Sequence, residues 1–422
     1  MAMTMTEKLL ARACGRESVR PGDVISPEPE LLIMHDGYVE TAHKILGELG
    51  YKRIANHDRT MIITDHNTVQ TTPRSIEQSR NNRRIAAEWK VGHFYDVGRG
   101  GHGHIYPMEA GLVTPGMFLF AYDMHCTNFG AVGALALRCG PDVPMVLATG
   151  TMWTVVPETL YIELTGQFAA GVHARDLGFK LSADLVSGKL GMEFDHRVVE
   201  FGGDAIEAMP IAERVALCNT LTEIGVNSVI FPPKSLLGAA PDPKWVRSDA
   251  DAHYENRLTL HLGDLVPQVA LPGGPDRAAD VTDAVGREID HAYLGSCGSG
   301  MYEDFELAAS VLKGHRVADR VRLLVVPGTV ETARRMADSG LTQQFMDAGA
   351  IMLPPGCGPC AGGVGGPMGP GEVSISTAAT NGAGRMGSKE SECYLGSPLT
   401  VTASAIAGRI VDPRQALALI TH

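Results

Sequence analysis

Short apolar runs alternate with stretches of helical period along the whole of the 422-residue chain. The runs Thr60–Thr64, Met117–Ala121, Pro144–Ala148, Leu160–Leu164, Ser228–Phe231 and Arg322–Val326 have the length and composition of buried strands. Between them, Ser75–Trp89, Ile211–Ile224, Glu303–Lys313 and Val330–Ser339 repeat their apolar positions at helix spacing. This rhythm predicts an α/β fold with crossover connections and layered sheets. The polar stretch 241–256 and the Pro/Gly-rich piece Leu271–Arg277 break it, and are expected to be a surface excursion and then a linker into the last domain. A chain of this length exceeds one ordinary core, so two or three domains are expected.

Composition narrows the function. A net charge of −12 opposes a standing nucleic-acid surface, which needs clustered Lys and Arg, but leaves room for a small anion in a local basic pocket. Eight cysteines form no regular framework, and the first twenty residues lack a secretory pattern, so a reducing, cytoplasmic setting is expected. No apolar run approaches the roughly 20 residues that a membrane helix needs. Cys14, Cys139, Cys218 and Cys393 stand in contexts typical of core cysteines.

The other notable cysteines lie in glycine-rich turns. Cys297 sits in Leu294-Gly-Ser-Cys-Gly-Ser-Gly300, and Cys357 and Cys360 in Pro355-Gly-Cys-Gly-Pro-Cys-Ala-Gly362. A Cys-x-x-Cys pair suits zinc, a redox dithiol or an iron–sulfur cluster. With Cys297 it offers three thiolates, which would leave one iron of a cubic cluster open as a Lewis acid. Asp65-His66-Asn67 and Asp123-Met-His125 each follow an expected strand, where a carboxylate can fix the tautomer of an imidazole, or simply cap a turn. Gly98-Arg-Gly-Gly-His102-Gly-His104 places two histidines on one side of an extended chain. Glu223 follows Asn219 by one turn of the expected helix Ile211–Ile224.

Taken in order, several of these blocks resemble the aconitase superfamily, most nearly its branch of 3-isopropylmalate dehydratase large subunits. The resemblance runs over nearly the whole chain: His35; Thr64-Asp-His-Asn67; His104 ahead of Glu109; Thr114-Pro-Gly-Met117; Asp123 and His125; Leu217-Cys-Asn219 with Glu223; Leu294-Gly-Ser-Cys297 with Glu303-Asp304; and Cys357 with Cys360. It implies three α/β/α-type domains, at 1–158, 159–280 and 281–422, around a central cluster cleft. It also implies a 4Fe-4S cluster on Cys297, Cys357 and Cys360, whose open iron takes a small malate-like hydroxy acid in a hydro-lyase reaction. Asp65 with His66, His104 with Asp123, and His125 with Glu223 would be catalytic pairs, while His35, Asn219 and Arg385 would meet substrate. Because the chain ends soon after Asp412-Pro413, a separate small subunit carrying a swivelling domain and the base serine is expected.

Three blocks depart from the family pattern. Met124 replaces the usual Ser between Asp and His, and Gly298-Ser299 replaces Thr-Asn after the first cluster cysteine. Ala379-Thr380-Asn-Gly-Ala-Gly-Arg385 keeps only Arg385 of two arginines, with Thr380 in place of the other. Loss of one guanidinium clamp predicts altered specificity. An RNA-binding or regulatory relative, or a dehydratase with a different metal centre, stands as the alternative.

Overall fold

The computed structural model describes residues 2–233 and 246–420. Its frame is three sheets. The first is wholly parallel, in the spatial order His93–Tyr95, Thr60–Ile63, Leu31–His35, Phe118–Ala121, Leu135–Arg138. The second is also parallel, in the order Ser228–Ile230, Val198–Gly202, Thr159–Thr165, Asn256–His261. In the third, Glu392–Leu395, Val373–Ser376, His291–Leu294, Arg322–Val325 and Ile351–Met352 run parallel, and Gln268–Ala270 with Ala278–Asp280 adds an antiparallel edge.

Strand Leu31–His35 shows why the central runs carry no polar face. Leu32 and Met34 enter one buried apolar cluster, Leu31 and Ile33 the cluster on the opposite face, so the two-residue alternation of a strand feeds two cores. Separate cores lie under the second and third sheets. In such sheets the carboxyl ends of strands open onto loops where ligands bind, with the sharpest crevice where the strand order reverses. His35 is the last residue of its strand, Asp65 lies two residues beyond another, and Asp123, Cys297 and Cys357 each leave a strand in the same sense.

Several expectations need correction. Pro144–Ala148 is not a strand but part of helix Val143–Thr149, with Pro144 in its first turn and Gly150 ending it in a left-handed conformation. A short apolar run fits a buried strand or a buried helix turn equally well, and the flanking proline and glycine decide here. Leu271–Arg277 is no interdomain linker. It joins the paired strands Gln268–Ala270 and Ala278–Asp280, so these two strands, on the near side of the expected 280/281 division, belong to the third sheet. Of the expected excursion 241–256, residues 241–245 lie outside the described residues. From Ser248 and Asp249, side chains hold the backbone N–H groups of Met5 and Met3 at 2.6 and 2.9 Å. Helix Ile211–Thr222 stops one residue short of Glu223, which is its C-cap.

Candidate active site

The loops at the strand ends meet in a narrow cleft with a cavity of about 30 Å³, lined by His66, His102, His104, Asp123, His125, the three loop cysteines, Ala361, Ala379 and Arg385. One wall comes from the first sheet. Asp65, fully buried, accepts from three sides: His35 Nδ1 at 2.8 Å, His66 Nδ1 at 2.7 Å and the Gly103 N–H at 2.9 Å. Gly103 is needed for this approach, since a Cβ there would lie 2.6 Å from the His35 ring. Asp36 adds a second carboxylate to His66 at 3.1 Å. Burial alone would push the Asp65 pKa up, but the two imidazoles outweigh it and hold the acid well below the usual carboxylate range. Burial likewise opposes the charged form of His66, yet Asp65 and Asp36 raise its pKa well above the ordinary histidine value.

The next pair does two tasks with one side chain. Asp123 caps the 3-10 helix Met124–Val132 by accepting the His125 N–H at 2.9 Å, and its same oxygen accepts His125 Nδ1 at 2.8 Å. The far nitrogen of that ring meets Glu223 Oε1 at 2.7 Å. Against burial, the Cys297 thiolate and these two carboxylates raise His125 well above its usual value, while the imidazole holds Asp123 well below.

His104 differs. Its expected partner Asp123 is 3.6 Å from Nε2, too long for a direct bond, and the same nitrogen lies 3.0 Å from His35 Nε2. With His35 Nδ1–H given to Asp65, the two Nε2 atoms of His35 and His104 share one hydrogen bond, and His104 Nδ1 is buried without a partner. Burial and the neighbouring His35 depress its pKa well below normal. His35, buried behind His104 and absent from the cleft lining, bridges His104 to Asp65.

The opposite wall carries the thiols, all buried. Before Cys297, Ser296 adopts φ 81°, a left-handed conformation that costs energy for any residue with a Cβ. Its hydroxyl donates to the Thr377 carbonyl at 2.6 Å, and Thr377 Oγ1 accepts the Gly295 N–H at 2.9 Å, which pins the loop. Cys360 closes a short 3-10 turn, Gly358–Cys360. Each sulfur has a polar neighbour. Asn219 Nδ2 lies 3.1 Å from Cys297 Sγ and His102 Nε2 lies 3.1 Å from Cys357 Sγ, while the Arg385 guanidinium is a positive charge beside Cys360. His102 Nδ1 accepts the His104 N–H, which puts its proton on the nitrogen that faces sulfur, and burial depresses its pKa to about 3. Burial also pushes the Cys297 and Cys357 thiols up. Two N–H donors and one guanidinium facing three sulfurs suit thiolates, and a buried thiolate needs a bound metal to stay deprotonated. The residues thus fit a soft-ligand metal group.

Of the residues singled out from sequence, Met124 and Thr380 are half-buried and absent from the cleft lining, and Arg385 stands at its mouth. Sequence reading did not assign roles to Asp36, His102 or Asn128, whose Nδ2 bonds the Cys297 carbonyl at 2.8 Å. His35-Asp36 repeats the acid–histidine signature at a strand end, and His102 belongs to the His-x-His pair, so both carried a signal; Asn128 carried none.

Parallel sheets that bring acid–histidine pairs onto buried thiols define an α/β enzyme built for acid–base work beside a metal group. The aconitase family model (aconitate hydratase) matches residues 8–408, and the chain belongs to that family, whose members imply an iron–sulfur cluster and hydro-lyase chemistry. It is 38% identical over 422 residues to the 3-isopropylmalate dehydratase large subunit 1 of Methanopyrus kandleri, covering 98% of this chain and 99% of that one. It is 37% identical to a probable methanogen homoaconitase large subunit of Methanothermobacter thermautotrophicus, over 98% of each. Among solved structures, the holo form of aconitase X of Thermococcus kodakaraensis shares the fold, with a TM-score of 0.52 at 10% identity over 84% of both chains. No helix among the described residues is long and apolar enough to cross a membrane.

Proposed function

We propose that this chain is the large catalytic subunit of a hydro-lyase acting on a small malate-like hydroxy acid, with Cys297, Cys357 and Cys360 holding a 4Fe-4S cluster. The observation that carries the reading is the convergence of three buried sulfurs, two with N–H donors and the third beside a guanidinium, on the cleft that His66, His104 and His125 line. When bound, the cluster supplies a Lewis acid that polarises the substrate hydroxyl.

The chain's own residues do the rest. His66 and His125, held as imidazolium by flanking carboxylates, are proton donors to a departing hydroxyl, and Asp65 and Asp123 keep them oriented. His104, neutral and backed by His35 and Asp65, passes a proton between cleft and interior. Arg385 offers a fork to a substrate carboxylate. Asn219 acts through Cys297. With Thr380 where relatives of this type carry a second arginine, acids needing two such clamps, citrate and isopropylmalate among them, are poor substrates.

Relatives named as large subunits support a small partner, which by the family resemblance would bring the proton-abstracting serine. Reduced cysteines, all eight free among the described residues, support a cytoplasmic setting. The three sheets support three lobes, the first within 1–158 and the third beginning by Gln268.

Anaerobic reconstitution tests the core of this reading. The chain should take up iron and acid-labile sulfide in equal amounts, about four of each, and hydrate small unsaturated acids only once the small subunit is added. A single zinc or iron per chain, held by the nearby His102, His104 and Cys297, would overturn the cluster assignment. Full activity from the chain alone would overturn the partner.

A further inference from the structure

Behind the Cys297 loop lies a cation with no place in the mechanism. Arg175, in the first turn of helix Ala174–Val186, is fully buried. Only its Nη2 has a hydrogen-bond partner, the Ala378 carbonyl at the end of a third-sheet strand, while Nε and Nη1 have none. Its face rests 5.1 Å from the Phe179 ring. The head is seated against the cysteine loop, since a Cβ on Gly298 would fall 2.5 Å from Nη1 and 2.4 Å from Asn219 Oδ1, itself an unpartnered buried atom. No positive φ requires glycine at 298; its lack of a side chain makes the room.

An isolated guanidinium sealed from water is strongly unfavourable unless an anion stands near it. Neither nearby acid is hydrogen-bonded to it: Asp176 accepts the His173 and Gln268 N–H groups, and Asp304 accepts the Met301 N–H. Once a bound group keeps Cys297 and Cys360 deprotonated, their charges, with that of Asp304, favour its cationic form.

We propose that Arg175 is the buried counter-charge of the cysteine site, a positioning residue that never touches substrate but stabilises the thiolates and the cluster they hold. The inference rests on the cluster reading above. A positive charge at this place favours the reduced, more negative cluster, and opposes loss of iron when the site is oxidised.

The test compares two substitutions in the full chain, reconstituted anaerobically. R175Q removes the charge but keeps a donor for the Ala378 carbonyl; R175K keeps the charge but loses the fork. R175Q should move the midpoint potential to a more negative value and speed iron loss in air by about tenfold. R175K should keep the wild-type potential. In the metal-free chain the order reverses: R175Q should melt no lower than wild type, because the unpaired cation is gone. Equal potentials in wild type and R175Q, an equal shift in both variants, or failure of both to fold would overturn the proposal. If wild type itself takes up no iron and sulfide, the cluster reading fails and this proposal falls with it, whereas equal potentials in loaded chains overturn this proposal alone.

Discussion

On the first-sheet wall of the cleft nearly every polar atom is already answered. Asp65 accepts three hydrogen bonds and His125 lies between two carboxylates, so the wall is electrostatically complete without a ligand. On the third-sheet wall two of the three buried sulfurs receive a donor, but burial opposes the thiolate form those donors favour, and Arg175 and Asn219 keep unpartnered atoms. One wall is preorganised for proton transfer; the other is poised for a group that must be brought in. Acid–base pairs can be built from side chains alone, whereas a Lewis acid cannot.

This contrast predicts unequal damage. The largest effect belongs to the cysteine wall: Cys297→Ser, Cys357→Ser or Cys360→Ser should each lose most bound iron and the brown colour, measured by iron assay and absorbance. Full iron in all three would remove that wall from the chemistry. On the histidine wall, His125→Asn should leave iron content intact while kcat/KM falls by about 10²- to 10⁴-fold, as for loss of a general acid. If iron falls in parallel, the two walls are not separable.

Arg385→Lys keeps charge but loses the planar fork, and should reduce kcat/KM by about thirtyfold, the equivalent of about 2 kcal/mol. A silent substitution would exclude Arg385 from carboxylate binding.

The smallest effect sharpens the electrostatics. Because carboxylates raise His66 and His125, their acid forms persist above the ordinary histidine range, and kcat/KM should fall only as pH rises through those raised values. Asp65 and Asp123 are depressed and stay ionised into mild acid, so the acid side should be flat down to the carboxylate range. Asp36→Asn removes one of the two charges holding His66, so the alkaline limb should move to lower pH with only a few-fold loss at neutrality. A limb that does not move assigns the titration to His125.

Much of this was legible in the chain because the signals are local. Alternating apolar runs and helical periods set the α/β class, glycine-rich turns marked Cys297, Cys357 and Cys360, and an acid beside a histidine at a strand end marked Asp65, His66, Asp123 and His125. Where the signal was local but ambiguous, as in Pro144–Ala148, the element was misread. Pairing was harder to read. That His104 answers to His35 and not to Asp123, that His102 guards Cys357 across 255 residues, and that Arg175 stands behind Cys297 depend on how the sheets are laid beside one another. Sequence fixes what a residue can donate, accept or ligate, because that chemistry belongs to the side chain. Which partner it meets, and whether water is excluded there, is decided by tertiary packing, which brings distant loops within a hydrogen bond's length and sets the burial that moves each proton.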